Sequence, residues 1–425
     1  MKITTSTETI KSFGGLNFIS QHYDDLKIAD LITKYLGKRP AQAGFSYSDV
    51  IKNLWSITFA GGDCAEDIHT NLKEELLAVT NLKICSPDTI LHVQKLLANE
   101  KEIHLSKAKT VNEFSQHAVL NALSLDFLIQ TRTLVPYQFY DFDFDNQFVP
   151  NEKFDSKKGY KMKEGYFPGV ASIGQYIVYI ENRNGNSNVK FKQDETLQAA
   201  YDLLKSKNIL IDRSRMDCGS FTKAIVTTAV ANSKRVYIRA QRCDELYRQL
   251  QAVKYWQKVK IGVHGVEVCS IEYAPFGEAT KYRYVVSREK NKTGQTNAFS
   301  EDDFTYRAIL TTDIESTDKE VIEYYNQRGA GEKIFDEMNN DFGWKNLPFS
   351  FLNQNTVYMI LMAMCRNFYL IILKKISNKV SFVQSNFRLK KFIFRFVVVP
   401  FKWISRGRQK ILKLYTQKPY HLVLT

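Results

Sequence analysis

The sequence has little of what marks a metal-stapled or disulfide-stapled protein. Its six cysteines (Cys64, Cys85, Cys218, Cys243, Cys269 and Cys365) include no CxxC pair, and its seven histidines form no i, i+4 pair and no Cys/His ligand pattern. A zinc site and a disulfide framework are therefore not expected, and a reducing cytoplasm is the natural compartment. No apolar stretch follows Met1-Lys2-Ile3-Thr4-Thr5, so no signal peptide is read. The most apolar run, residues 357–373, is interrupted by Arg366 and Asn367 and reads as a buried helix rather than a membrane span. Acidic residues are missing altogether from residues 374–425.

That last absence concentrates the charge. The tail holds thirteen Lys and Arg, all but one unit of the formal +14, while the rest of the 425-residue chain is nearly neutral. Aromatics interleave with the cations in Arg388-Leu389-Lys390-Lys391-Phe392-Ile393-Phe394-Arg395-Phe396 and in Lys402-Trp403-Ile404-Ser405-Arg406-Gly407-Arg408. The composition fits a polyanion-binding surface, with Lys390, Lys391, Arg395, Arg406 and Arg408 as candidate phosphate contacts. It also fits a basic segment on an acidic membrane or a solvated tail. Nucleic acid is the favoured partner.

The rest of the chain is long enough for a substantial core and two or more structural units. Apolar residues recur at helical spacing through Phe18, Ile19, Leu26, Ile28, Leu31, Ile32 and Leu36, then through Val50, Ile51, Leu54, Trp55 and Phe59, where Gly61-Gly62 ends the helix. Ser86-Pro87-Asp88-Thr89 starts a third helix. Such short helices fit either a helix-turn-helix or a small helical bundle. A further helix over 117–130 leads into a mixed sheet: a hairpin turning near Gly174, a polar turn at residues 183–188, a helix over 195–205, a strand over 209–217 and another over 235–240. Short β runs at 266–273 and 281–287, with a polar loop at 290–294, look like an insertion before the helix–sheet rhythm resumes at residues 304–312. Thr317-Asp318-Lys319-Glu320 then supplies a capping box.

One stretch organises the candidates for chemistry. Tyr140-Asp141-Phe142-Asp143-Phe144-Asp145 alternates with period two, so a strand here has an aromatic face and a face of three carboxylates. Alone it reads equally as a solvated edge strand or as a strand built to hold a cation. Asp217 ends a predicted strand, and reactive groups collect beyond the carboxyl ends of strands. Tyr325, Arg328 and Glu332 share one face of a helix, while Gly329 and Gly331 mark either a close approach or a helix break.

Tyr325-Asn326-Gln327-Arg328-Gly329-Ala330-Gly331-Glu332 resembles the Y-x-x-R-x-x-x-E signature of DDE transposases encoded by bacterial insertion sequences. With Asp141 to Asn146 and Arg215-Met216-Asp217, the order is similar to the group of insertion sequences numbered thirteen-eighty, over most of the chain. The resemblance implies an α/β fold: a ribonuclease-H-like catalytic core (117–242 and 304–373) interrupted by a β-rich insertion (243–303). A helical N-terminal DNA-binding or dimerisation region (1–116) precedes it, and a basic C-terminal segment (374–425) follows.

It further implies Asp145, Asp217 and Glu332 as metal-binding and catalytic residues, with Asp143 as the substitute for Asp145. Two Mg²⁺ ions, replaceable by Mn²⁺, would serve phosphoryl transfer. Tyr325 and Arg328 would hold DNA near the scissile phosphate. The family's usual lysine seven residues beyond the glutamate is Asn339 here, so that phosphate contact is either absent or supplied elsewhere, by Lys333 or Lys345. Double-stranded DNA at terminal inverted repeats, a homodimer on that DNA, a place on the cytoplasmic nucleoid and no membrane partner complete the expectation. A DNA hairpin intermediate is open. The rivals are a ribonuclease-H-like nuclease without strand transfer and a non-catalytic DNA-binding descendant of a transposase.

Overall fold

In a computed structural model, the structure describes residues 1–424 apart from 6, 107–108, 160–161 and 292–302. The polar loop expected at 290–294 lies outside the described residues from Lys292 onward. The first hundred residues form α1 (Gly15–Asp25), α2 (Ile28–Leu36), α3 (Tyr47–Phe59), the single turns α4 (Asp67–Thr70) and α5 (Lys73–Leu76), and α6 (Pro87–Leu97). Ser46 and Asp49 close a capping box on α3, and the Ser86 side chain caps α6 with Pro87 in its first turn. The helical region ends there. β1 (Glu102–Leu105) and β2 (Val111–Gln116), within the stretch expected to be helical, pair with each other and join the main sheet.

That sheet continues through β3 (Phe139–Asn146), then, past a small separate sheet of β4 (Val149–Pro150), β5 (Lys157–Lys158) and β6 (Glu164–Tyr166), through β7 (Gly169–Ile173) and β8 (Tyr176–Arg183). β9 (Leu210–Met216), β10 (Arg235–Arg239), β11 (Gln257–Ile261), β12 (His264–Tyr273), β13 (Tyr282–Lys290) and β14 (Phe304–Thr311) complete it. The eleven strands lie in the order β1-β2-β8-β7-β3-β9-β10-β14-β13-β12-β11. Only β3–β9 and β9–β10 are parallel. The strands at 257–290 thus extend the same sheet through β13 and β14.

Helices cover the sheet: α7 (Ala118–Gln130), α8 (Gln193–Ser206), α9 (Lys223–Asn232), α10 (Asp244–Gln251), α11 (Asp318–Asn326), α12 (Ala330–Asn340) and the long α13 (Leu352–Ser377). α13 is long and apolar enough to cross a membrane, but it is buried inside the fold. The Trp55 ring stacks on Phe368 of α13 at 5.4 Å, and its Nε1 donates to Leu361 O. β2 pairs with β8 only from Glu181 to Arg183. The backbone of Ile177 and Ile180 upstream would be left open, and each unmet buried amide is costly. Two helical asparagines fill the gap: Asn121 of α7 brackets Ile180, and Asn367 of α13 brackets Ile177, each accepting from N–H and donating to C=O at 2.8–3.1 Å. Asn367, which breaks the apolar run in sequence, is therefore a sheet-edge clamp. Arg183, expected in a polar turn, ends β8 fully buried, because Glu181 neutralises it and Val189 and Phe191 carbonyls accept its remaining N–H groups.

The basic C-terminal residues are folded against the N-terminal helices. After α14 (Leu389–Phe392) and a π turn at Ile393–Val397, β15 (Phe401–Arg406) and β16 (Gln409–Leu414) form a hairpin. Its turn, Gly407-Arg408, has positive φ at both residues, as tight hairpins require. Lys11 bridges to Phe401 and Phe13 to Val399, and a Cβ on Gly15 would meet Phe396 O at 2.4 Å. Phe396 packs against Phe18, Phe382, Phe392 and Tyr420 at centroid distances of 5.0–6.4 Å. Phe396→Ala is therefore expected to cost about 3–5 kcal/mol in urea unfolding and to expose the Gly407 turn to limited proteolysis. A tail held by charge alone would leave both unchanged.

Candidate active site

The site is built on the paired strands β3 and β9. Their parallel register sets Asp141 beside Arg213, Asp143 beside Arg215 and Phe144 beside Met216. Partners on neighbouring parallel strands point to the same face, so each aspartate meets an arginine. Arg213 grips both oxygens of Asp141 at 2.7 Å, and Arg215 grips both of Asp143 at 2.6 and 2.9 Å. Such bidentate pairs are the strong form of the interaction. One rung further the pattern breaks. Asp145 is followed across the strands by Asp217, and two carboxylates occupy neighbouring positions with no arginine from either strand.

The compensating charge comes from above. α11 ends at Asn326, a 3₁₀ turn spans Gln327–Gly329, and α12 begins at Ala330. From this turn Arg328 Nη1 reaches Asp145 Oδ2 at 2.8 Å, with both side chains about one-fifth exposed. Burial raises the Asp145 carboxyl, Arg328 pulls it back and the Asp217 charge pushes it up again, leaving it at about 6. Asp217 Oδ1 accepts from Ser220 N and Oγ at 3.3 and 3.4 Å. Tyr325 is pinned at the same place, its hydroxyl donating to Met216 O at 3.2 Å.

The turn is held by the rungs beneath it. Arg215 Nη1 donates to Tyr324 O at 2.5 Å, one of the last carbonyls of α11, where a cation is favoured by the helix end. The guanidiniums of Arg213 and Arg215 lie 4.1 and 4.7 Å from the Tyr324 ring centroid. The arginines that neutralise Asp141 and Asp143 thus also seat the segment that carries Arg328. α12 is fixed at its far side by a buried ion pair, Glu337 with Arg366 of α13 at 2.7 Å, and by Asn339 Nδ2 donating to Gln147 Oε1 at 3.2 Å.

The structure brings together Asp145, Asp217, Tyr325 and Arg328. Asp143 lies in the same strand but has both oxygens taken by Arg215. Glu332 sits exposed on the first turn of α12, because the 3₁₀ turn interrupts the single helical face expected for Tyr325, Arg328 and Glu332. Its neighbour Gly331 faces the acids: a Cβ there would stand 3.9 Å from Asp145 Oδ2, whereas Gly329 faces open space. Among the described residues no three His, Cys, Asp or Glu side chains gather into a metal cage. Lys333 is exposed at 3.8 Å from Glu337 Oε1, and Lys345 is exposed in a 3₁₀ turn at Trp344–Asn346. Lys390, Lys391, Arg406 and Arg408 are exposed, and Arg395 is half-buried.

Sequence reasoning missed Arg213, Arg215, Tyr324 and Ser220. The signal for the first two was present, since Arg213-Ser214-Arg215-Met216-Asp217 alternates with the same period as Asp141 to Asp145 and opposite sign.

Two carboxylates thus end adjacent parallel strands beneath an arginine in an α/β fold, the strand ends at which such folds collect reactive groups. The chain belongs to the family described as transposase DDE domain group 1, whose model matches residues 1–425. A cryo-EM structure of piggyBac transposase in a synaptic complex with hairpin DNA is similar at a TM-score of 0.46 and 12% identity, covering 90% of this chain and 79% of that one. No curated protein sequence matches.

Two outcomes test this electrostatic construction. The folded value of Asp145 lies above its ordinary 3.8, so the stability it contributes is complete below pH about 4 and lost as pH rises through about 6. Asp145→Asn should therefore be more stable than the parent by about 2–3 kcal/mol at pH 8 and equal to it at pH 4 in chemical denaturation. Arg215→Met leaves the largely covered Asp143 carboxylate, 15% exposed, without its partner and should cost about 3 kcal/mol in the same measurement at pH 7.

Proposed function

We propose that this transposase binds the terminal inverted repeats of its insertion sequence and catalyses metal-dependent strand cleavage and strand transfer through Asp145, Asp217 and Glu332. The observation that carries the reading is the acidic rung, Asp145 beside Asp217, beneath Tyr325 and Arg328. The order β8-β7-β3-β9-β10, with β3, β9 and β10 parallel and β7 reversed, supports a ribonuclease-H-like core. The Tyr325-x-x-Arg328-x-x-x-Glu332 spacing supports the insertion-sequence group numbered thirteen-eighty.

DDE transposases generally use divalent metals, and two of the three proposed carboxylate donors stand at neighbouring strand ends. Asp145 and Asp217 offer hard oxygens at neighbouring strand ends, and the Arg328 guanidinium already occupies the cation's side of Asp145. Glu332 supplies the third carboxylate from α12, and bound Mg²⁺ would supply activation of the attacking oxygen and stabilisation of the leaving one. Arg328, bonded to Asp145 through Nη1, keeps its other N–H groups for a DNA phosphate. Tyr325, held by Met216 O, fixes the backbone from which Arg328 projects. The attacking groups are water at the element end and then the freed 3′-hydroxyl on target DNA. Asn339 is bonded to Gln147, so the phosphate contact of the usual lysine falls to Lys333 or Lys345. A homodimer pairs the two ends, and the basic C-terminal surface holds flanking DNA.

The test is Mg²⁺-dependent cleavage of a duplex carrying the element ends. Asp217→Asn and Glu332→Gln should each lose more than about 100-fold in cleavage while still binding that duplex. Asp143→Asn should lose thermal stability yet cleave at a permissive temperature. Undiminished cleavage by Asp217→Asn, or binding without cleavage by the parent in both Mg²⁺ and Mn²⁺, would overturn the proposal.

A further inference from the structure

The turn between α13 and the C-terminal hairpin exposes a large aromatic side chain in an unusual setting. Phe392 and Phe396 are fully buried, yet Phe394 between them is 67% exposed, displayed by the π turn at Ile393–Val397. Burying a Phe side chain is worth about 1.5–3 kcal/mol, and this chain forgoes that gain at one position of three. π turns recur at functional sites. The surroundings are cationic: Lys390 and Lys391 are exposed, Lys391 Nζ stands 6.0 Å from the Phe394 ring centroid, and neither lysine has an ion-pair partner among the described residues. An open groove of about 590 Å³ runs beside them, lined by Asn340, Asp341, Arg388, Lys390, Lys391 and Phe394.

The two acids nearby are already engaged. Arg388 binds Asp336 at 2.5 Å and Asp341 at 2.8 Å. These bonds tie the turn to α12, the helix that carries Glu332, and leave Lys390 and Lys391 outside any ion pair among the described residues, with Asp341 near enough to feel the Lys390 charge. An aromatic face set among free cations complements a polymer of alternating π-faces and phosphates better than it complements an apolar peptide.

We propose that residues 388–396 form a single-strand nucleic-acid contact in which Phe394 stacks on an unpaired base and Lys390 and Lys391 hold the flanking phosphates. This rests on the DNA-binding reading above and adds to it a site for DNA that has left the duplex.

The experiment is equilibrium binding of the full chain, without metal, to a twenty-nucleotide oligothymidylate and to a duplex of the same length, across a salt series. Phe394→Ala should weaken oligothymidylate binding about tenfold, within the range of a single base stack, and change duplex binding less than twofold. Phe394→Trp should restore it. Lys390→Gln with Lys391→Gln should lower the slope of log affinity against log salt by about 1.4 on the single strand. All these side chains are exposed, so thermal melting should not move.

Equal affinity of Phe394→Ala and the parent for oligothymidylate, or equal losses on single strand and duplex, would overturn the proposal. So would a loss confined to anionic phospholipid vesicles, which would make the turn a membrane contact. Stacking without end cleavage by the parent sinks only the catalytic reading, and end cleavage with Phe394→Ala indifferent on oligothymidylate sinks only this one.

Discussion

Opposite charges at every second residue of two parallel strands set the geometry on which the candidate site depends. Asp141 with Arg213 and Asp143 with Arg215 register β3 against β9, since a shift of one residue would turn every charge to the other face. The same arginines hold the end of α11 through the ring and carbonyl of Tyr324. The final rung, Asp145 beside Asp217, is placed by the two before it. There two acids meet, and the arginine that offsets them belongs to another element. A site that keeps acids together at a cost in stability is the usual signature of function placed above packing.

Much of this was legible in sequence, and the limits are physical. The period-two run from Tyr140 to Asp145 reports a strand with one acidic face, and β3 is that strand, with Phe142 and Phe144 buried. Capping residues marked the starts of α6 and α11, Gly61-Gly62 the end of α3, and Gly174 the β7–β8 turn. Glu332 shows what periodicity cannot supply. A spacing of i, i+3, i+7 assumes one continuous helix, and the 3₁₀ turn at Gln327–Gly329 changes the rotation between Tyr325 and Glu332. Burial of Arg183 and Arg366 was equally hidden, because what encloses them depends on how the chain folds back: the Val189 and Phe191 carbonyls over Arg183, and Glu337 on another helix for Arg366.

α12 is mounted from three directions. Arg366 secures Glu337, Gln147 receives Asn339, and Arg388 ties Asp336 and Asp341 to the C-terminal turn. The helix therefore links the aspartate rung to the basic surface as one rigid connection. Asn339 serves here as a structural tie between that helix and the strand end carrying Asp145.

The pairing of residues 11–18 with residues 396–401 has a consequence for how the chain is made. A ribosome adds about 5–20 residues per second, so α1 emerges roughly 20–80 seconds before the strand and aromatic cluster that cover it. Closing a loop of that length is slow and carries a large entropy cost. During the interval Phe18 and its neighbours are without their final cover, a natural point of engagement for a chaperone. Completion of the fold is thereby linked to synthesis of the basic C-terminal surface, so that surface and a settled N-terminal region arrive together.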